Sequence, residues 1–285
     1  MERILLVEPD YRNKYPPIGL MKLAAYHRSK QDYVRFYKGK APYTIVAKFD
    51  RVYITTLFTF YYDLTVDTVR HYLNYVHKDN VFVGGISATL LRNQYVRDLK
   101  MKNIIPGQLR SSSALGYDDS INIDALPLDY DILDDVTYNY PAGDNIFLYT
   151  TRGCPRNCEF CAVKRLEPRF KDTNSLVTQV AAIREKYGDK RNILIMDNNI
   201  LYSRQLLKVV KDLNEVGYVQ NTRNYVGVNY VEVMLDKIKR RQSFESDYGR
   251  QVEELVKYLH HFQRKVTGKD LAERYAKLLA YIDSA

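Results

Sequence analysis

Short runs of β-branched and aromatic residues alternate with helical stretches through roughly the first hundred residues, and that alternation leaves few folds open. Residues 4–7 are apolar at every position and are closed by Pro9; Pro16 and Pro17 then precede a helical pattern over 18–26. Residues 33–37 alternate as a strand does. Residues 51–60 form a second strand-like run, 65–77 read as a helix, and 81–83 form a strand that ends on Gly84 and Gly85. Strands separated by helices of this length pair in parallel, so the expected fold class is α/β with a doubly wound, Rossmann-like amino-terminal domain.

The periodicity lapses between residues 105 and 144, where Pro106, Gly107, three consecutive serines from Ser111, Gly116, Pro127, Pro141 and Gly143 fall. A connection of this length is expected to wrap between two domains and to help form a site. A second βα series follows. Residues 145–151 read as a strand, 174–187 as a helix with Leu176, Val180, Ile183 and Tyr187 on one face, 192–196 as a strand and 204–216 as a helix. Residues 225–234 suit a third strand passing into a helix. Two amphipathic patterns, 251–266 and 270–282, read as a helical hairpin.

The net charge of +9 and the 26 tyrosines, with no tryptophan, raise nucleic acid as a partner. The basic residues are spread along the chain, however, and the tyrosines recur inside strands and amphipathic helices, where packing accounts for them. A basic nucleic-acid-binding module is the alternative these numbers support, and steep salt dependence of binding is its sign. No run of eighteen apolar residues occurs, and the sequence opens on a short apolar stretch instead of a signal-peptide core, so a cytoplasmic protein without a membrane partner is expected.

All three cysteines of the chain, Cys154, Cys158 and Cys161, fall within eight residues. An odd number in one loop cannot form a disulfide framework, and such a cluster of thiols suits a metal. Pro155 and Gly153 let the backbone curl, so three thiolates converge on the corners of one compact cluster. A cubane cluster has four irons; three thiolates leave one of them without a cysteine, an open position of the kind that marks a catalytic metal site. Structural zinc would need a fourth ligand, and the nearest histidines in sequence, His77 and His260, are remote. Arg152, Arg156, Lys164 and Arg165 flank the loop and read as solvated surface charge, with cluster stabilisation or an anionic substrate as the other possibility.

The run Cys154-Pro155-Arg156-Asn157-Cys158-Glu159-Phe160-Cys161 resembles the CxxxCx(aromatic)C signature of radical S-adenosylmethionine (SAM) enzymes, and the strand before it resembles the first barrel strand of that family. The resemblance implies a [4Fe–4S] cluster whose unique iron chelates SAM, a 5′-deoxyadenosyl radical formed by one-electron cleavage, and a one-electron reductant such as flavodoxin or ferredoxin. It places Phe160 beside the adenine, where packing under the loop is the plainer role. It puts SAM-binding polar groups at Asp197 and Asn199 at the end of the second strand, with Asn198 in their place if the strand register shifts by one; a strand-ending turn also explains the three.

A doubly wound domain ahead of such a barrel resembles the cobalamin-dependent subclass. Thr55 and Leu57 stand where those domains carry Ser-x-Leu, and Gly84 and Gly85 where they carry Gly-Gly. The cobalt-ligating Asp-x-His-x-x-Gly is absent, since residues 8–19 hold no histidine; the resemblance leaves cobalamin, a vestigial domain or a substrate-presenting domain open. The expected organisation is a cobalamin-binding-like domain over 1–104, a connecting segment over 105–144, a shortened (β/α) radical SAM partial barrel over 145–242 and the helical hairpin over 243–285. The functional expectation is a radical SAM enzyme of unknown substrate, a methyltransferase if cobalamin binds. The alternative is a shortened, non-catalytic or regulatory iron–sulfur protein.

Overall fold

The computed structural model describes residues 1–173 and 175–218. The strand expected at 225–234 and the helical hairpin over 243–285 lie outside the described residues. Five parallel strands, β1 (Arg3–Glu8), β2 (Tyr33–Lys38), β3 (Arg51–Thr56), β4 (Val81–Gly85) and β5 (Ile104–Ile105), form one sheet in the order β2-β1-β3-β4-β5. The register brings Ile4 opposite Val34 on one side and Arg51 on the other, and Thr55 and Thr56 opposite Gly84 and Gly85. β5 ends on Ile105, opposite Gly84.

The continuous apolar run of β1 is what a strand covered on both faces requires. Ile4 and Leu6 pack on one face with Leu20, Ala24 and Phe36, whereas Leu5 and Val7 pack on the other with Val52, Val69 and Val83. The first face is covered by α1 (Ile18–Ser29), which carries Leu20, Met21, Leu23 and Ala24 inward. After the short helix α2 (Tyr43–Val46), the second face is covered by α3 (Tyr62–Leu73), α4 (Ile86–Leu90) and α5 (Arg92–Leu99). Helices on both faces make the sheet doubly wound. The helix expected over 65–77 starts earlier, where Asp63 favours the first turn, and stops at Leu73.

Beyond the end of β5 at Ile105, residues 106–144 contain only short 3₁₀ turns, yet they are not a free loop. Leu115, Ile123, Leu128, Tyr130, Ile132 and Tyr140 are buried against the α1 face. Acidic side chains pin the strap to the sheet domain: Asp129 accepts from Arg28 at 2.9 Å, the carboxylate of Asp135 accepts the Phe36 N–H at 2.8 Å, and Asp124 accepts from Lys22 at 3.0 Å. On its other side the Tyr130 hydroxyl donates to the Asn145 carbonyl at 2.9 Å. The strap therefore occupies the layer that a second helix would fill, and one apolar core runs from the sheet through it into the next unit.

That unit begins with β6 (Asn145–Leu148), which pairs in parallel with β9 (Asn192–Ile195) across α7 (Leu176–Tyr187). Between them, β7 (Thr151–Arg152) pairs antiparallel with β8 (Lys171–Asp172). The sequence run 145–151 is thus split: β6 stays with its parallel partner, and the chain turns at Tyr149 and Thr150 to start a separate two-stranded ladder. The short helix α6 (Val163–Leu166) lies within the excursion, and α8 (Leu206–Glu215) follows β9. Among the described residues the second sheet has two strands, and no helix is long and apolar enough to cross a membrane.

Candidate iron–sulfur and substrate site

The cysteines lie on the excursion between β7 and β8, directly beyond Gly153. That glycine has φ +75°, and an added Cβ would meet the backbone carbonyl oxygen of Arg169 at 2.4 Å, so only glycine lets the outgoing and returning strands approach this closely. Glu167 closes the base of the loop. Its carboxylate accepts the Gly153 N–H at 2.7 Å, Arg152 Nη1 at 2.8 Å and Asn198 Nδ2 at 3.1 Å.

All three thiols are free; Cys154 and Cys161 are half-buried and Cys158 is exposed. The Cys161 N–H donates to the Cys158 carbonyl at 3.0 Å, and Asn199 Nδ2 lies 3.5 Å from Cys154 Sγ. Three thiols on one loop are the donor type that a multi-iron cluster takes. The donor set and the partly open thiols suit such a cluster.

The residues expected to surround SAM fall around this loop but take different partners. Asp197 is tied to Thr150, accepting its N–H at 2.8 Å and its hydroxyl, and so fixes the chain where β6 ends. Asn198 and Asn199 reach the cysteine loop through Glu167 and Cys154. Phe160 is 94% exposed, so packing under the loop does not hold it.

A cavity of about 450 Å³ opens between the sheet domain, the strap and the cysteine unit. Thr55, Gly84 and Gly85 line it from the carboxyl ends of β3 and β4, where open α/β sheets receive ligands. Leu57 is engaged through its carbonyl, which accepts the Ser87 N–H at 2.9 Å. Gly85, with φ +113°, is dictated by its neighbour: a Cβ there would stand 2.3 Å from the Thr56 carbonyl oxygen. Gly84 has room for one, its nearest contact being 3.7 Å.

One end of the cavity is polar, and sequence reasoning missed most of it. Arg152 is buried, contrary to the surface role expected of it, because Asp124 of the strap and Glu167 both pair with it and its guanidinium lies 3.3 Å from the centre of the Tyr149 ring. Lys22 and Gln108 donate to the same Asp124 carboxylate. Burial pushes Lys22 below the usual lysine range, against the pull of Asp124. Burial also resists ionisation of Asp124, but Lys22 and Arg152 outweigh it and hold the carboxyl below its ordinary value. The Asp124 carboxylate therefore meets the Arg152 guanidinium as an ion pair. Only the position of Arg152 beside the cysteine motif signalled it in the sequence.

The family model of the radical SAM superfamily matches residues 148–258. The match starts at the last residue of β6 and takes in the cysteine loop, α7, β9 and α8; this part of the chain is similar to the radical SAM superfamily. Among solved structures, the chain is similar to TsrM, a radical SAM methyltransferase from Kitasatospora setae. With cobalamin and a [4Fe–4S] cluster bound to that protein, the TM-score is 0.53 at 10% identity, over 82% of this chain and 56% of the other. With its tryptophan substrate and the SAM analogue aza-SAM bound, the TM-score is 0.48 at 12% identity, over 82% and 57%. At such identities the likeness is one of fold, and the chain spans little more than half the length of these neighbours. No curated protein matches the sequence.

Proposed function

We propose that this chain is a radical SAM enzyme in which Cys154, Cys158 and Cys161 hold a [4Fe–4S] cluster and SAM takes the iron they leave free. The observation that carries the reading is the placement of all three cysteines on one partly open loop within the residues that the radical SAM family model matches. When bound, cluster and SAM supply one-electron cleavage of the sulfonium to a 5′-deoxyadenosyl radical. The chain's own residues do the rest. Gly153 and Glu167 set the course of the loop, Asn199 offers an N–H to Cys154, and Phe160, Asp197, Asn198 and Asn199 are the groups assigned to SAM. The apolar cavity beside them excludes water from the reacting groups. An external one-electron donor, such as flavodoxin or ferredoxin, completes the system.

Methyl transfer through cobalamin is a second reading, supported by the sheet order and by Thr55 and Gly84 on the cavity wall. Among the described residues, none of the histidines His27, His71 and His77 lines that cavity, and Gly85 answers to Thr56 instead of to a cofactor.

Anaerobic reconstitution with iron and sulfide, followed by SAM and a reductant, tests the first reading. The expected result is four irons per chain and release of 5′-deoxyadenosine, with Cys158→Ala failing to build the normal cluster. A cluster that never cleaves SAM, with or without candidate substrates, points to the non-catalytic iron–sulfur protein. One zinc and no iron overturns both.

A further inference from the structure

We propose that the cavity between the sheet domain and the cysteine loop binds an organic oxyanion carried on an apolar body, its head held by Lys22 and Arg152 beside the start of α1. As a statement about substrate class this rests on the enzyme reading above; as a statement about binding it does not need the cluster. Most of the cavity wall is apolar, with Leu23, Phe82, Ile86, Ile105 and Leu166 among its residues, and its volume of about 450 Å³ is that of a small-molecule site. Lys22, Gln108, Asp124, Arg152 and Glu167 form one hydrogen-bonded group on its wall.

The hydrogen bonds of that group decide the sign of the ligand. Asp124 accepts from Lys22, Gln108 and Arg152, and Glu167 accepts from Arg152, Gly153 and Asn198, so three donors already occupy each carboxylate. Lys22 spends two of its N–H groups, both on Asp124, and Arg152 spends two on Asp124 and Glu167. A lysine carries three such donors and an arginine five, so donor capacity remains where acceptor capacity is largely used. A ligand that brings acceptors completes the set; one that brings an ammonium competes with cations already in place.

The start of α1 adds to this. Its first turn has no acidic residue and no side-chain cap, and Ile18, Gly19 and Leu20 line the cavity. The Ile18 and Leu20 N–H groups already donate to the Pro16 and Pro17 carbonyls at 2.9 Å each, so what the helix start adds is its dipole, which favours negative charge. Gly19 has nothing within 4 Å of where a Cβ would stand, so the wall is open at that point.

The test uses four probes that share a naphthyl body: naphthylacetate, naphthyl phosphate, naphthylacetamide and naphthylethylamine, titrated into the full chain and followed by probe fluorescence, with iron measured in the same samples. Either anion is expected to bind at least about tenfold more tightly than the amide and the amine, a difference of ~1.4 kcal/mol, and the stronger of the two identifies the head group as carboxylate or phosphate. Lys22→Met is expected to remove that preference. Because Lys22 is buried in an ion pair, Gly19→Leu provides a second variant: it fills the open wall, suits the helix, and is expected to weaken all four probes by about tenfold with no fall in melting temperature. Equal affinity for anion and amide, tighter binding of the amine, or unchanged affinity in Gly19→Leu overturns the proposal. Loss of iron with the anion preference intact instead counts against the enzyme reading alone.

Discussion

Replacing Gly153 with alanine separates what the cysteine loop needs from what any glycine turn needs. The backbone cost of φ +75° for a residue with a side chain is about 1–2 kcal/mol. The new Cβ would also stand 2.4 Å from the Arg169 carbonyl oxygen and 2.9 Å from that of Glu167, both backbone atoms that cannot rotate away. Relief requires the returning strand to move by about an ångström, and forced shifts of that kind cost about 1–3 kcal/mol, for a total of about 2–5 kcal/mol. Gly116→Ala is the control: its φ is +83°, but no atom lies within 4 Å of the added Cβ, so only the backbone cost of about 1–2 kcal/mol applies. Urea unfolding of both variants measures the difference, and iron content after anaerobic reconstitution reads the loop itself. Gly153→Ala is expected to lose more stability than Gly116→Ala and to fall well short of the parent iron content, because Cys154 is the next residue. A Gly153→Ala protein that matches the control in both measurements would refute the close-approach argument.

Removing the Asp197 carboxylate releases the Thr150 N–H and hydroxyl that it accepts, so Asp197→Ala should lower stability by about 1–3 kcal/mol in urea titrations, with Asp197→Asn recovering part of the loss. If Asp197→Ala keeps parent stability and loses only SAM affinity, the latch role is wrong. The buried His27 ring pairs with Asp32 at 2.9 Å and with the Tyr53 hydroxyl at 3.1 Å, and burial holds its pKa below 6.5 despite the bond to Asp32. As pH falls from 6.5 the unfolded chain gains a proton that the fold resists, so stability should drop across that window; urea midpoints at about pH 7 and about pH 5.5 should show the drop in the parent and a smaller one in His27→Gln.

How far the sequence revealed this architecture depends on the reach of each signal. β1 was legible because four consecutive apolar residues specify a strand covered on both faces, and the helix pattern after Pro17 was legible because Leu20, Leu23 and Ala24 recur at helical spacing. The cysteine loop was legible because its chemistry is local: three thiols within eight residues need no knowledge of the fold. The strap over 105–144 was legible only as a lapse in periodicity. Its order comes from Asp124, Asp129 and Asp135 meeting cations and N–H groups that are about a hundred residues away in the chain, and no local pattern encodes such pairs.

The polar end of the cavity was hidden for the same reason, and Arg152 shows how. An arginine beside a cysteine motif reads as solvated charge because isolated guanidinium groups avoid burial. Here Asp124 reaches it from the strap and Glu167 from the far side of the loop, so the burial that its own neighbourhood would forbid becomes acceptable once two distant carboxylates are in place. The dependence runs both ways. Removing either carboxylate strands a buried cation, whereas exchanging an exposed basic residue such as Arg156 leaves the network untouched. Spacing located the cysteines, but the wall they share with the cavity is made by charges that only the folded chain brings together.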